Sequence, residues 1–238
     1  MPYTREQVAA TIDHAALKPN MTDRDIIDNA VMCAENRVAS LCVRPSDVAL
    51  AARELKGTGV AVGVVVGFPH GSHRPEVKAL ESRLAMEDGA REIDMVMNIG
   101  KFLSGDDDWV RRDIEAVVAE AGPRGVPVKV ILETCYLDDE EVVRACKIAE
   151  AAGADFVKTA TGFGEDNKRP KGATPEVIDI MLKTVGRNVG VKASGGVRNW
   201  EAAVGYLDQG CRRLGAASTV EILSGRSEAP GETPADAY

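Results

Sequence analysis

The stretch Asp155-Phe156-Val157-Lys158-Thr159-Ala160-Thr161-Gly162 is an apolar run that ends on a glycine turn. A helix signal follows, Thr174 as N-cap and Pro175 as first helical residue, leading an apolar face of Val177, Ile178, Met181, Leu182 and Val185. A second apolar run, Val189-Gly190-Val191-Lys192-Ala193-Ser194-Gly195-Gly196, again ends on glycine. Strand, helix, strand is the reading, with strands expected at Asp155–Thr161 and Asn188–Ser194, and moving outward the same rhythm fills the chain. Further strands are expected at Thr11–Ala15, Val38–Val43, Val60–Phe68, Glu92–Asn98, Val126–Thr134 and Cys211–Ala216. Thr22 with Asp25, and Asp138 with Glu141, have the spacing of helix-opening capping boxes between them. Eight strands alternating with helices in 238 residues predict an α/β protein, a single closed (β/α)8 TIM barrel over residues 1–224. The phosphate loops of a doubly wound sheet, GxGxxG and GxxxxGK[ST], are missing. The Gly-, Pro-, Ser- and Glu-rich stretch 225–238 reads as a flexible tail.

Composition narrows the partners. The formal net charge is −8 and aromatics make up 4% of residues, which argues against nucleic acid or an anionic membrane surface as partner. Any site for an anion must therefore be local. Five cysteines without a CxxC pair read as reduced thiols of a cytoplasmic protein. The N-terminus lacks an apolar leader, and no run reaches membrane-spanning length.

In a barrel the chemistry lies at the C-terminal ends of the strands, so ionisable residues inside strands carry the most information. Lys129, Lys158 and Lys192 each sit in an apolar run. Burying an ammonium costs several kcal/mol unless it is paired or deprotonated. Lys158 and Lys192 fall on strands six and seven, neighbours in a barrel, where each cation disfavours protonation of the other. That arrangement makes a nucleophilic amine near neutral pH. Lys129 lies earlier in its strand and reads as structural. Asp94, flanked by apolar residues in strand four, either neutralises the lysines or shuttles protons. A structural network of the lysines with Asp94 and Glu133 is the plain alternative, and two inward carboxylates also fit glycoside hydrolysis, against which the lysines and scarce aromatics weigh. Glycine turns after strands seven and eight, Gly195-Gly196 and Gly215 with Ser218 beyond, suit a phosphate cradle of backbone N–H groups. His70 and His73 read as loop residues rather than metal ligands, since a zinc site needs a third protein ligand. Cys42 and Cys135 read as buried inert thiols.

The sequence resembles the deoxyribose-phosphate aldolases, Schiff-base barrel aldolases. The likeness runs from about Thr11 to Leu223. It is carried by Asp13-His14 with Leu17-Lys18-Pro19, Leu41-Cys42-Val43, Val66-Gly67-Phe68-Pro69-His70-Gly71 and Glu92-Ile93-Asp94-Met95-Val96. It continues in Glu133-Thr134-Cys135, Phe156-Val157-Lys158-Thr159 with Thr161-Gly162-Phe163, and Val191-Lys192-Ala193-Ser194-Gly195-Gly196-Val197-Arg198. The resemblance implies Lys158 as the Schiff-base lysine, Lys192 as the lysine that perturbs it and Asp94 in a proton relay. It also implies Gly162, Gly195, Gly196, Gly215 and Ser218 around a phosphate. The implied substrate is a phosphosugar, 2-deoxyribose 5-phosphate, split reversibly into acetaldehyde and glyceraldehyde 3-phosphate with no metal or organic cofactor. A homodimer is compatible with this reading. Ala15, Ala160, Ala216 and Ala217 stand where the family commonly has hydroxyls, which bears on substrate preference. The final residue, Tyr238, matches the terminal tyrosine of some members and would assist proton transfer if the tail folds over the site. A non-catalytic phosphosugar-binding barrel, or a Schiff-base aldolase for another acceptor aldehyde, are the competing readings.

Overall fold

The computed structural model describes residues 3–225. Eight parallel strands close a barrel in sequence order: β1 (Ile12–Ala16), β2 (Ser40–Val43), β3 (Ala61–Val66), β4 (Glu92–Val96), β5 (Val128–Ile131), β6 (Phe156–Lys158), β7 (Gly190–Ser194) and β8 (Arg213–Ala216). Among the described residues ten α-helices accompany them: α1 (Arg5–Ala9), α2 (Asp23–Asn36), α3 (Val48–Glu54), α4 (Pro75–Glu87), α5 (Ile99–Leu103), α6 (Asp107–Ala121), α7 (Asp139–Ala151), α8 (Pro175–Thr184), α9 (Trp200–Gln209) and α10 (Thr219–Ser224). All eight expected strands are present, each shorter at one end or both than the apolar run that announced it, or shifted by a residue. The capping boxes at Thr22–Asp25 and Asp138–Glu141 form, and Thr174 caps α8 through the Val177 N–H.

The period-2 alternation of a strand sorts the side chains into two layers. Ile12, Ile93, Met95, Val128, Val130, Val157, Val191 and Leu214 join the large apolar core that the strands share with the helices. Their sequence neighbours Asp13, Asp94, Lys129, Lys158 and Lys192 alternate with them and are buried too, so the barrel interior is charged. Nearer the mouth a small apolar cluster of Leu17, Cys42 and Val65, with Ala15 and Phe68 against it, lines the other side of the interior.

Candidate active site

Strand register brings the interior charges together. Lys158 lies opposite Lys192 across β6 and β7, and Asp94 lies opposite Lys129 across β4 and β5. Lys158 Nζ and Lys192 Nζ both donate to Asp94 Oδ2, each at 2.7 Å. Lys129 Nζ takes the other oxygen, Oδ1, at 2.9 Å, and Glu92 Oε2 at 2.6 Å. Lys192 has a second carboxylate, Asp13 Oδ2, at 2.5 Å, whereas the only carboxylate within ion-pair distance of Lys158 among the described residues is Asp94. Arg213 closes the network beneath, donating to Asp13 and, at 2.7 Å, to Glu92 Oε1. Lys192 needs room to reach Asp94. A Cβ on Gly215 would fall 2.6 Å from Ser194 Oγ and 3.2 Å from Lys192 Cε, so the glycine clears the lysine's path.

The two lysines differ electrostatically because their partners differ. Burial is the largest influence on both and opposes their charged forms. For Lys192 the carboxylates of Asp13 and Asp94 overcome it and hold the ammonium above the usual lysine range. For Lys158 burial prevails over Asp94 alone, and the neighbouring Lys192 cation adds to it, so its affinity for the proton is lowered. Burial also works against the Asp94 carboxylate, yet Lys129, Lys158 and Lys192 outweigh it and hold Asp94 well below the carboxylate range. One buried amine is thus poised to lose its proton beside a fixed cation and a fixed anion.

Above this cluster opens a cavity of about 440 Å³, lined by Ser194 at the end of β7, Gly215 within β8, and Thr161, Gly162, Gly195, Gly196, Ala217 and Ser218 from the loops after β6, β7 and β8. All five residues expected around a phosphate line it. Gly195 (φ 83°) is in the left-handed region, and a Cβ there would approach Gly172 Cα to 2.7 Å; only glycine lets the two loops meet. Ala15, Ala216 and Ala217 line the cavity as well, while Ala160 is buried behind Gly195. His14 ties the walls together. Its Nε2–H donates to Asn29 Oδ1 on α2 at 2.6 Å, and its Nδ1 accepts from the Thr219 hydroxyl on α10 at 2.8 Å. Burial pushes its proton affinity down, in keeping with a neutral ring.

Other expectations are revised. Among the described residues Glu133 pairs with no lysine: it follows β5 in a left-handed conformation (φ 52°), and its carboxylate accepts from the Thr161 N–H and hydroxyl. Lys129, read from the sequence as structural, lies inside the same network, paired with Glu92 and Asp94. Cys42 is buried and its thiol is pushed up to about 12 by burial; Cys135, beyond β5 rather than in it, reaches about 11 for the same leading reason. His70 and His73 sit in the β3–α4 connection. Tyr238 and the rest of the expected tail beyond Gly225 lie outside the described residues. Sequence reasoning missed the roles of Asp13, Glu92 and Arg213. The signal for Asp13 was present, since it is a carboxylate within an apolar strand, as Asp94 is. Lys18 and Arg198 also line the cavity, and no local sequence pattern gives either of them a role.

Two buried lysines sharing one carboxylate inside a closed (β/α)8 barrel make an arrangement suited to amine-dependent carbonyl chemistry, and the comparisons with known proteins place the chain among the barrel aldolases. Residues 7–221 match the DeoC/LacD family aldolases, and the chain belongs to that family. It is 50% identical over 222 residues to a deoxyribose-phosphate aldolase of Listeria innocua, covering 93% of this chain and 97% of the relative. A deoxyribose-phosphate aldolase of a Geobacillus species is 48% identical over 220 residues, covering 92% and 96%. The fold superposes with TM-score 0.85 on the tetrameric deoxyribose phosphate aldolase of Aeropyrum pernix, at 31% identity over 93% of this chain and 91% of that one.

Proposed function

We propose that the protein reversibly cleaves 2-deoxy-D-ribose 5-phosphate into D-glyceraldehyde 3-phosphate and acetaldehyde. The observation that carries the reading is the shared Asp94 oxygen, with Lys192 doubly anchored and Lys158 singly. Lys158, as the free amine, adds to the C1 aldehyde and loses water to give a protonated Schiff base. A base removes the proton of the C3 hydroxyl, the C2–C3 bond breaks, and its electron pair passes into the iminium to form an enamine as the three-carbon aldehyde phosphate departs. Protonation of the enamine at C2 and addition of water release acetaldehyde and restore Lys158. Asp94, held as a carboxylate, is the acceptor through which water and Lys192 exchange protons. The glycine loops after β6 to β8 receive the phosphate with backbone N–H groups. A retro-aldol assay on 2-deoxyribose 5-phosphate beside unphosphorylated 2-deoxyribose tests this. Cleavage favouring the phosphorylated sugar is expected, and cleavage of neither would refute it.

The finer assignments rest on the same reading. Tyr238 supplies the proton to the enamine carbon, so Tyr238→Phe slows solvent deuterium exchange into acetaldehyde. Exchange at the wild-type rate removes Tyr238 from the scheme. The chain acts in the cytoplasm, consistent with five free, buried cysteines; among the described residues no helix is long and apolar enough to cross a membrane. It acts as a homodimer, a proposal supported by the exposed stripe Val77, Leu80 and Leu84 on one face of α4. Sedimentation velocity checks this: a dimer is expected, and dissociation by Leu84→Glu places the contact on α4.

A further inference from the structure

We infer that Lys18 is a specificity-determining residue for the anionic end of the substrate, and that Arg44 is the positioning residue that holds it at the pocket mouth. The inference rests on the reading that this cavity receives a phosphorylated sugar.

A chain of net charge −8 repels an anionic substrate at long range, so capture depends on the local field at the pocket. Among the described residues no Asp or Glu lines the cavity, whereas Lys18 and Arg198 do. Lys18 makes no ion pair among the described residues, and its side chain is exposed, so its charge is not already neutralised. Backbone N–H groups are therefore not the cavity's only means of holding an anion.

A lysine on a loop contributes selectivity only if the loop holds still. Lys18 lies between β1 and α2, and the guanidinium of Arg44, just past β2, spans that connection. Arg44 Nη1 donates to the carbonyls of Lys18 and Pro19, both at 3.1 Å, and Nη2 donates to the carbonyl of Met21 at 3.0 Å. Its Nε is fixed in turn by Asp47 Oδ2 at 2.6 Å. Asp47 is buried and the Arg44 side chain is 22% exposed, so water competes little for the fork. The Thr22–Asp25 capping box pins the next residues at the start of α2. A rigid planar fork can reach three carbonyls at once, and the point-like ammonium of a lysine cannot.

The experiment measures kcat/KM on 2-deoxyribose 5-phosphate and on 2-deoxyribose for the wild type, Lys18→Met, Arg44→Met, Arg44→Lys and Lys18→Met/Arg44→Met. The phosphorylated-to-unphosphorylated ratio is expected to fall roughly three- to tenfold in Lys18→Met through KM, the scale of one part-exposed charge contact. Both Arg44 variants are expected to lower the ratio less, and the double variant to be no worse than Lys18→Met. Lys18→Met changes an exposed side chain, so it decides the claim about Lys18 even if the Arg44 variants fold poorly. An unchanged ratio in Lys18→Met overturns the inference, and Arg44 effects that add to those of Lys18 overturn the positioning role. A wild type without preference for the phosphorylated sugar would instead refute the substrate reading itself.

Discussion

Lys158 and Lys192 donate to the same oxygen of the same carboxylate, Asp94 Oδ2, at equal distances of 2.7 Å, and only Lys192 has a second carboxylate. The asymmetry decides which lysine keeps its proton. Among the described residues the interior network sets three carboxylates, Asp13, Glu92 and Asp94, against four cationic side chains, Lys129, Lys158, Lys192 and Arg213, so the anions cannot balance every positive charge. Anchoring Lys192 to Asp13 as well leaves Lys158 as the amine whose charge is least well supported.

Lys192→Leu tests that division. Removing the cation relieves one of the two influences that depress Lys158, burial being the larger, so more of the amine stays protonated at neutral pH. The rising limb of the pH profile of kcat/KM is expected to move to higher pH, with activity near pH 7 reduced. A profile that keeps its position contradicts the role of Lys192.

Asp13→Asn should act through Lys192 and on stability. With Asp13 neutral, Lys192 holds its proton less firmly and repels a proton on Lys158 less, so the same limb moves in the same direction. Asp13 and Asp94 have depressed proton affinities in the folded protein. Their contribution to stability is therefore complete above the unfolded carboxylate value of about 3.9 and is lost as pH falls through the lower folded values. Asp13 also accepts from Ser40 at 2.7 Å and from Arg213. Breaking such a buried network costs about 3–5 kcal/mol. Urea unfolding from pH 3 to 7 checks this: the variant should be less stable at pH 7 and lose less on acidification.

Lys158, Lys192 and Asp94 were legible because an ionisable residue inside an apolar strand conflicts with its neighbours unless it serves the interior. Asp13 carried the same signal, but its partner is Lys192, 179 positions away, and only barrel closure makes them neighbours. Strand ends were less legible. The expected strand Val126–Thr134 stops at Ile131, although Leu132 remains buried and its N–H still bonds to the Lys158 carbonyl. Alternating pattern reports burial, and burial continues past the point where the ladder ends. Extending that pattern places Glu133 with the interior charges, but its left-handed backbone turns it toward Thr161. The place of Lys18 depends on a guanidinium from another loop, which no local pattern records.

A second buried pair supports the end of β4. Lys78 on α4 donates to Asp113 Oδ2 on α6 at 2.5 Å and to the carbonyl of Val96, the last residue of β4, at 2.7 Å. Burial lowers the proton affinity of Lys78 and lifts the Asp113 carboxyl to about 6. Lys78→Met is expected to cost about 3–5 kcal/mol in urea unfolding, and Lys78→Met/Asp113→Leu to recover much of it. A single variant as stable as the wild type would show that the pair contributes nothing.

The loops around the cavity should respond in opposite directions to added atoms. Gly195→Ala forces a side chain at φ 83° against Gly172 Cα and is expected to raise KM for the phosphorylated sugar. Ala217→Ser adds a hydroxyl to an exposed residue of the cavity wall and is expected to lower that KM with little change in kcat. Steady-state kinetics on both sugars checks the pair; an equal response on unphosphorylated 2-deoxyribose would mean that neither residue senses phosphate.

In the proposed reaction Lys158 is the amine that bonds to the substrate carbon. Incubation with acetaldehyde, reduction with borohydride and peptide mass spectrometry locate the bond, with Lys158→Met as the control. A single ethyl adduct on Lys158, absent from Lys158→Met along with turnover, is the expected result. An adduct on Lys192 or Lys129 in the wild type would contradict it.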